Sequence, residues 1–202
     1  MSLNADALTT TAHARLHIKR KIDADIEPEL VDILINTYSK AIHRYCEREF
    51  VATDSLSRSF SYTGGGIMSL APYDLRSVTS IAISGFDTTT ETLDASDYQL
   101  TPIGKTTEDT YYTVQFRTRH ARQWGGYTVV VVGDWGMATV PDDVEDACLI
   151  AVTDGYRNPE GFASRAVGGL EYSEVAEPSE APARSLPLDA RNLLLPFKRI
   201  HM

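Results

Sequence analysis

The sequence predicts an α+β fold with packed helices, an antiparallel β region and an extended C-terminal arm. Apolar residues recur at spacings of three and four in two long segments, and they alternate with polar residues between those segments. A third apolar cluster follows a stretch rich in proline and glutamate. These patterns divide the chain into a domain over 1–170, an acidic linker over 171–185 and a C-terminal docking arm over 186–202.

Helices are predicted over about 8–49 and over 141–157. Within the first region, 8–21 forms a short helix whose basic end opposes the helix macrodipole. A longer helix over 27–49 begins with Pro28 at its first position. Its apolar face comprises Leu30, Ile33, Leu34, Tyr38, Ala41, Ile42 and Tyr45. The helix over 141–157 starts at a proline followed by two aspartates, and its buried stripe comprises Val144, Ala147, Cys148, Ala151 and Val152.

The β region is predicted over about 57–135, where the hydrophobic period changes to two. Glycine-containing turns separate the candidate strands. One strand contains four consecutive valines and is therefore apolar on both faces, which predicts a central position in its sheet. The candidate strands are Ser57–Tyr62, Ile67–Ala71, Val78–Ser84, Tyr98–Thr101, Tyr112–Thr118 and Tyr127–Val132.

The C-terminal part differs in composition. Residues 171–184 carry four glutamates and two prolines against one arginine, which predicts an exposed, extended linker. After it, one helical face gathers Leu186, Ala190, Leu193, Leu194 and Phe197. A short apolar helix on a polar tether needs a surface to dock on, either its own domain or a neighbour. We expect the neighbour.

Composition limits the possible functions. The chain has 202 residues, 43% of them hydrophobic and 23% charged, as in soluble globular proteins. No apolar run reaches the ~18 residues that a transmembrane helix needs. Residues Met1–Thr11 resemble no secretory signal, so we expect a protein made and kept in a cytoplasm. A net charge of −9 argues against a broad surface that grips nucleic acid.

No residues with a catalytic, cofactor-binding or metal-binding role are predicted, and we expect no enzyme. The segment Gly104-Lys105-Thr106 lacks the earlier glycine of a phosphate-binding loop, because Gln99 stands there. His13 and His17 have the spacing of a metal-binding pair, yet no third ligand is evident. The two cysteines, Cys46 and Cys148, are expected to be buried reduced thiols, with a disulfide as the alternative.

A basic patch lies between the candidate strands Tyr112–Thr118 and Tyr127–Val132. It lies between two strong strands, so it is predicted to be a hairpin tip. A solvated turn is the favoured interpretation. The alternative is a contact loop, since tryptophan and arginine are frequent at interface hot spots. The candidates for tail-side or inter-subunit contacts there are Arg117, Arg119, Arg122 and Trp124.

The order of several segments is similar to one family. "ALTTTAHARLHI" precedes "ELVDILINTYSKAIHRYCEREF", and "MSLAPYDLRSVTSIAISG" follows. Later come "YTVVVVGDWGMATVPDDVEDACLIAVTDGY" and the closing "SLPLDARNLLLPFKR". Across about 8–199 this combination resembles the head–tail connector (adaptor) family of tailed bacteriophages. The chain departs from the family mainly in a longer β region over 86–126 and in its acidic linker.

The resemblance implies a virion structural protein without a cofactor. Copies would form a ring, typically of twelve, between the portal protein and a tail-side neck or stopper protein, with genomic DNA passing through the centre without specific binding. The ring would be assembled in the host cytoplasm and would contact no membrane. The resemblance also implies that the arm reaches the portal or an adjacent subunit. Its contact candidates are Leu186, Leu188, Leu193, Leu194, Phe197 and Arg199.

Two alternatives remain. A stopper or head-completion protein would occupy the same neck, but that class is usually dominated by a β-barrel, and the helices over 27–49 and 141–157 argue against it. A small ligand-binding or enzymatic α+β domain is the other alternative. It would be favoured by a concentration of catalytic residues, which the sequence lacks.

Overall fold

The structure is a computed structural model that describes residues 2–21, 26–85, 90–103, 110–117, 126–157, 165–167, 170–172 and 186–199. The chain forms two compact units. The first joins Met1–Cys46 to Pro141–Met202, and the second is Glu47–Val140. The helices lie in the first unit and the larger sheets in the second, so the predicted α+β class is confirmed.

The helices of the first unit begin and end close to the predicted positions. Pro28 is the first residue of its helix, as expected from its missing N–H. The described helices are α1 (Thr11–Lys21), α2 (Pro28–Cys46), α3 (Asp142–Arg157) and α4 (Leu188–Leu194), and a 3₁₀ turn over Leu195–Phe197 continues α4. None of the described helices is long and apolar enough to cross a bilayer.

The core of the first unit forms where α1, α2 and α4 pack on α3 and where α1 also packs on α2. Each helix contributes a stripe of apolar side chains at spacings of three and four. Fully buried members include Ala14 and Ile18 of α1 and a longer stripe of α2. The buried side chains of α2 and α3 include Val31, Leu34, Ile35, Tyr38, Ile42, Val144, Ala147, Cys148, Ala151 and Val152.

The second unit contains two antiparallel sheets. Its strands are β1 (Thr53–Tyr62), β2 (Ile67–Ser69), β3 (Leu75–Ser84), β4 (Thr90–Thr92), β5 (Tyr98–Thr101), β6 (Thr113–Phe116) and β7 (Tyr127–Trp135). One sheet has the order β1-β7-β3-β4 and the other the order β2-β6-β5. Pairing matches Phe60 with Val129, and Val129 with Ile83 on the other side.

Strand β7 is central in the larger sheet, as its valines predicted. Val129 and Val131 are fully buried, and the strand ends at Trp135, which is also buried and donates its indole N–H to the Leu56 carbonyl at 2.7 Å. After it, Gly136 adopts a φ of 74°. A Cβ there would lie 1.9 Å from the Val51 carbonyl oxygen, so the chain can turn only with glycine at this position.

The structure corrects some predicted boundaries. Strand β4 was not predicted, because "TET" shows neither apolar alternation nor burial. The start of the predicted acidic linker, Glu171 and Tyr172, belongs to a strand, β9 (Leu170–Tyr172), which pairs with β8 (Arg165–Val167). The remainder of the linker, 173–185, lies outside the described residues.

Candidate interaction surfaces

The C-terminal segment 186–199 packs on its own unit. One side of the segment is a buried stripe with a spacing of four, formed by Leu186, Ala190 and Leu194. Helix α4 packs on α3. The segment is also fixed by backbone hydrogen bonds, since the Arg199 N–H donates to the Cys46 carbonyl at 3.0 Å. The Lys198 ammonium lies 5.1 Å from the centre of the Tyr45 ring.

The opposite side of the segment 186–199 carries apolar side chains that are exposed to solvent. Leu188 is 71% exposed and Leu195 is 58% exposed. A spacing of seven places both on one side of the helix, since seven residues make nearly two turns. The pair Leu188 and Leu195, termed here the outer leucine pair, is therefore the apolar surface that the segment offers to another molecule.

The six arm residues predicted to contact the portal or a neighbour divide between the two sides. Leu186 and Leu194 are buried in their own unit, which corrects the expectation that this face is free for another chain. Leu193, Phe197 and Arg199 are partly buried, and Leu188 is exposed. The sequence reasoning missed Leu195, although its spacing of seven from Leu188 was a signal. Contact with a portal stays a prediction for the exposed residues.

The predicted basic tip is described only at its start. Arg117 follows the last residue of β6, is exposed, and donates its backbone N–H to the Asp97 carbonyl at 2.8 Å. Its position at the end of a strand agrees with a turn there. The other three candidates, Arg119, Arg122 and Trp124, lie outside the described residues, as does Gly104-Lys105-Thr106. Their proposed contacts stay predictions.

The histidine pair of α1 holds that helix to α3. His13 Nδ1 lies 2.8 Å from Glu145 Oε1, and His17 Nδ1 lies 2.9 Å from Thr153 Oγ1. Thr9 donates a further hydrogen bond of 2.8 Å to Glu145. Burial opposes ionisation of Glu145, but the hydrogen bonds from His13 and Thr9 outweigh it and lower the pKa of this carboxyl. The two rings thus serve packing between helices, and the described residues hold no group of three side chains suited to a metal ion.

Both cysteines are buried free thiols, which confirms the expectation that they do not form a disulfide. The thiol of Cys148 lies 3.8 Å from the Ser39 hydroxyl. Burial raises the pKa of Cys148 to about 12, because a thiolate would be poorly solvated there. Cys148 is therefore held as an unreactive thiol.

The second unit contains a polar cluster that the sequence did not predict. The Asp74 side chain is fully buried and accepts three hydrogen bonds from Arg48, at 2.9, 3.0 and 3.2 Å. The Thr110 hydroxyl donates another to the same carboxylate at 3.1 Å. Arg48 and Asp74 are 26 residues apart, and neither has a local pattern that would identify its partner.

Comparisons with known proteins connect this architecture to particle necks. No protein-family model matches the chain, and no curated protein matches it in sequence. Solved structures do match. A chain from "Neck of empty GTA particle computed with C6 symmetry" is 13% identical with a TM-score of 0.60, and a chain from "Virion of native gene transfer agent (GTA) particle" is 12% identical with a TM-score of 0.58.

A chain from "Neck of native GTA particle computed with C12 symmetry" is 13% identical with a TM-score of 0.55. Each of the three alignments covers 100% of this chain and 94% of the matched chain. Both units are therefore included in the likeness. At this identity the likeness establishes a shared fold, and it confirms the resemblance to a neck component at that level.

Proposed function

We propose that this chain is a structural protein of the neck of a phage-like particle, and that it acts there as an adaptor between the portal and the tail-side neck proteins. The observation that carries the proposal is the likeness to neck chains over the whole length of this chain. Since the matched neck structures have sixfold and twelvefold symmetry, we infer a ring, with twelve copies as the expected number. DNA would pass through its centre.

The outer leucine pair is the proposed contact with the portal. Burying Leu188 and Leu195 would contribute roughly 1.5–3 kcal/mol for each side chain. The segment needs no refolding for this contact, because Leu186 and Leu194 already fix it to its own unit. The surface is therefore presented in one orientation, which lowers the entropy cost of binding.

A co-sedimentation experiment tests the proposal. The wild-type chain is mixed with the portal protein of the same particle, and the variant Leu188→Asp with Leu195→Asp is compared with it. We expect co-sedimentation of the wild type and its loss in the variant. Ile33→Asp is the matched control, since Ile33 is an exposed apolar residue of α2. Failure of the wild-type chain to co-sediment at any ratio would refute the adaptor function.

Passage of DNA implies weak contacts with it. A net charge of −9 repels phosphates on average, which suits a channel through which DNA slides. We expect little affinity for duplex DNA at physiological salt. Micromolar or tighter binding in a salt titration would contradict this expectation.

A stopper or head-completion protein is the second candidate. The second unit, Glu47–Val140, favours it, because the regular elements described in that unit are strands and such proteins are built mainly on β structure. Electron micrographs of particles carrying a tag at the C-terminus discriminate between the two. The adaptor function places the tag at the portal, and the stopper function places it farther towards the tail.

A further inference from the structure

Helix α1 lies in a basic segment of an acidic chain. Residues 7–21 contain four of the 19 lysines and arginines and none of the 28 aspartates and glutamates. The other residues therefore carry 15 cations against 28 anions, a net charge of −13, although the whole chain is at −9. This segregation gives the segment a local positive charge. The segment therefore attracts anionic groups, which the remainder of the molecule repels.

The basic residues share an outward face with an apolar one. Ala14 and Ile18 point into the core, whereas Arg15, Lys19 and Arg20 are exposed. Leu16 is 52% exposed, and Lys19 and Arg20 follow it at three and four residues, so all three are neighbours on the helix surface. Leu16, Lys19 and Arg20 are termed here the α1 face.

The cations of the α1 face have no anionic partner in the part of the chain that the structure describes. The ion pairs found there join other residues, and none involves Lys19 or Arg20. Glu27 and Glu29, near the start of α2, are exposed and likewise take part in none of these pairs. The α1 face is thus charged, partly apolar and available.

The same unit presents a complementary surface on α3. Asp142, Asp143 and Asp146 are exposed at the start of that helix, and none takes part in the ion pairs of the described residues. Their position in the first turns complements the helix dipole, but it leaves their outward charge free for a cation from elsewhere.

These two surfaces cannot neutralise each other within one chain. The contacts of His13 with Glu145 and of His17 with Thr153 show that α1 and α3 run in the same direction. Lys19 lies six residues beyond His13, and Asp142 lies three residues before Glu145. At 1.5 Å per residue they are separated by roughly 13 Å along the helices. A second copy, displaced along this direction, can bring them together.

We propose that the α1 face docks on the acidic start of α3 in a second copy of this chain. The inference rests on the proposed ring. Neighbours in a ring meet through two different surfaces of each copy, and the α1 face and the start of α3 are two such surfaces with opposite charge. Chains at −9 repel one another, so the contact between them requires local complementarity. Leu16 supplies an apolar centre among the ion pairs.

Zero-length cross-linking tests the contact directly. Carbodiimide joins a lysine amine to a carboxylate only where the two groups touch. An equal mixture of isotopically heavy and light chains is cross-linked at low salt and analysed by mass spectrometry. We expect mixed-isotope links between Lys19 and Asp142 or Asp143, and their loss at high salt. Lys19 links that all lie within one chain, or that reach other carboxylates, would overturn the inference.

Charge reversal provides the second test. Lys19→Glu with Arg20→Glu gives a chain that is acidic on both surfaces, and Asp142→Lys with Asp143→Lys gives one that is basic on both. Each variant alone should self-associate at least about tenfold more weakly than wild type, and mixing the two should restore association. Lys40→Glu with Arg44→Glu changes the charge equally on the exposed side of α2 and should have little effect. Sedimentation velocity measures association, and circular dichroism checks folding.

The outcomes separate this inference from the proposed function. Rings that assemble normally on the portal with the α1 face reversed would overturn the inference and leave the adaptor function standing. Mixed-isotope links without any portal binding would support the contact and refute the adaptor function. If reversal of the α1 face instead removes duplex DNA binding and no intermolecular link is found, the face contacts DNA and the inference is wrong.

Discussion

The two compact units satisfy their buried polar groups in different ways. In the first unit the buried polar residues that the structure describes are short and uncharged. Ser39 lies beside Cys148, and the Thr153 hydroxyl donates to the Leu149 carbonyl at 2.8 Å. The second unit buries a full carboxylate, Asp74, against Arg48. Helices satisfy their own backbone groups, so side chains between them need few polar atoms.

Arg58 is another charged and largely buried side chain of the second unit. Its guanidinium lies 3.5 Å from the centre of the Tyr73 ring and 5.3 Å from the Trp135 ring, and it contacts Glu49 at 2.5 Å. Stacking on aromatic faces suits a planar, weakly hydrated cation. We therefore expect the second unit to be sensitive to loss of charge partners and the first unit to loss of apolar volume.

Both tryptophans of the chain, Trp124 and Trp135, belong to the second unit, whereas the described helices belong to the first. Tryptophan fluorescence therefore reports unfolding of the second unit, and circular dichroism at the helix band reports the first. Separate transitions of the two signals would allow each unit to be followed by itself.

The largest effect is expected from Asp74→Ala. The substitution removes the carboxylate that pairs with the largely buried Arg48, and it should lower the free energy of unfolding of the second unit by about 3 kcal/mol or more. Urea unfolding followed by tryptophan fluorescence measures it. The control is Asp54→Ala, which removes the ion pair between Asp54 and Arg76. The Asp54 side chain is 78% exposed, so this substitution should cost less than about 1 kcal/mol. Equal losses for the two variants would refute this distinction.

Two leucines of the C-terminal segment, one buried and one exposed, test how far apolar packing stabilises the first unit. Leu194→Ala removes a fully buried side chain and should cost about 3 kcal/mol. Leu188→Ala removes a side chain that is 71% exposed and should change stability by less than about 0.5 kcal/mol. Urea unfolding followed by circular dichroism compares them. If Leu194→Ala is as mild as Leu188→Ala, the segment does not dock on its own unit in solution.

Two glycines with positive φ test backbone crowding in the second unit. Gly136 has a φ of 74° and Gly65 a φ of 93°, so alanine is strained at both positions. A Cβ at Gly65 would meet nothing within 4 Å, whereas one at Gly136 would meet the Val51 carbonyl oxygen at 1.9 Å. Gly136→Ala should therefore cost about 2 kcal/mol more than Gly65→Ala. Thermal unfolding followed by tryptophan fluorescence decides whether the two differ.

The smallest effect is expected at Glu145. Its pKa is lowered in the folded chain, since His13 and Thr9 stabilise the carboxylate. A carboxyl whose pKa is lowered by folding stabilises the folded chain at pH values above its pKa in the unfolded chain, near 4.5. That stability is lost as the pH falls through the pKa in the folded chain. Because Glu145 is partly exposed, Glu145→Gln should cost less than about 1 kcal/mol at pH 7. A cost that persists undiminished at pH 3 would contradict the role of its charge.

The helices and the main sheet could be predicted because their signals are local. Pro28 and the spacings of three and four fixed α2, and four successive valines identified the central strand. Strand β4 escaped prediction because it is held by pairing with β3 and has no pattern of its own. The polar cluster around Asp74 escaped because its members come together only when distant segments pack.

The sequence by itself determined the α+β class, the bounds of α2 and α3 to within about three residues, and the presence of an apolar face in the C-terminal segment. Only the tertiary structure decided which side of that segment is free. Leucines occur on both sides, so local spacing could identify Leu186 and Leu194 as one face without specifying what covers it. Which face is covered depends on α3, which lies about 30 residues earlier in the sequence. The packing of the segment on α3 buries one face and leaves Leu188 and Leu195 exposed to solvent.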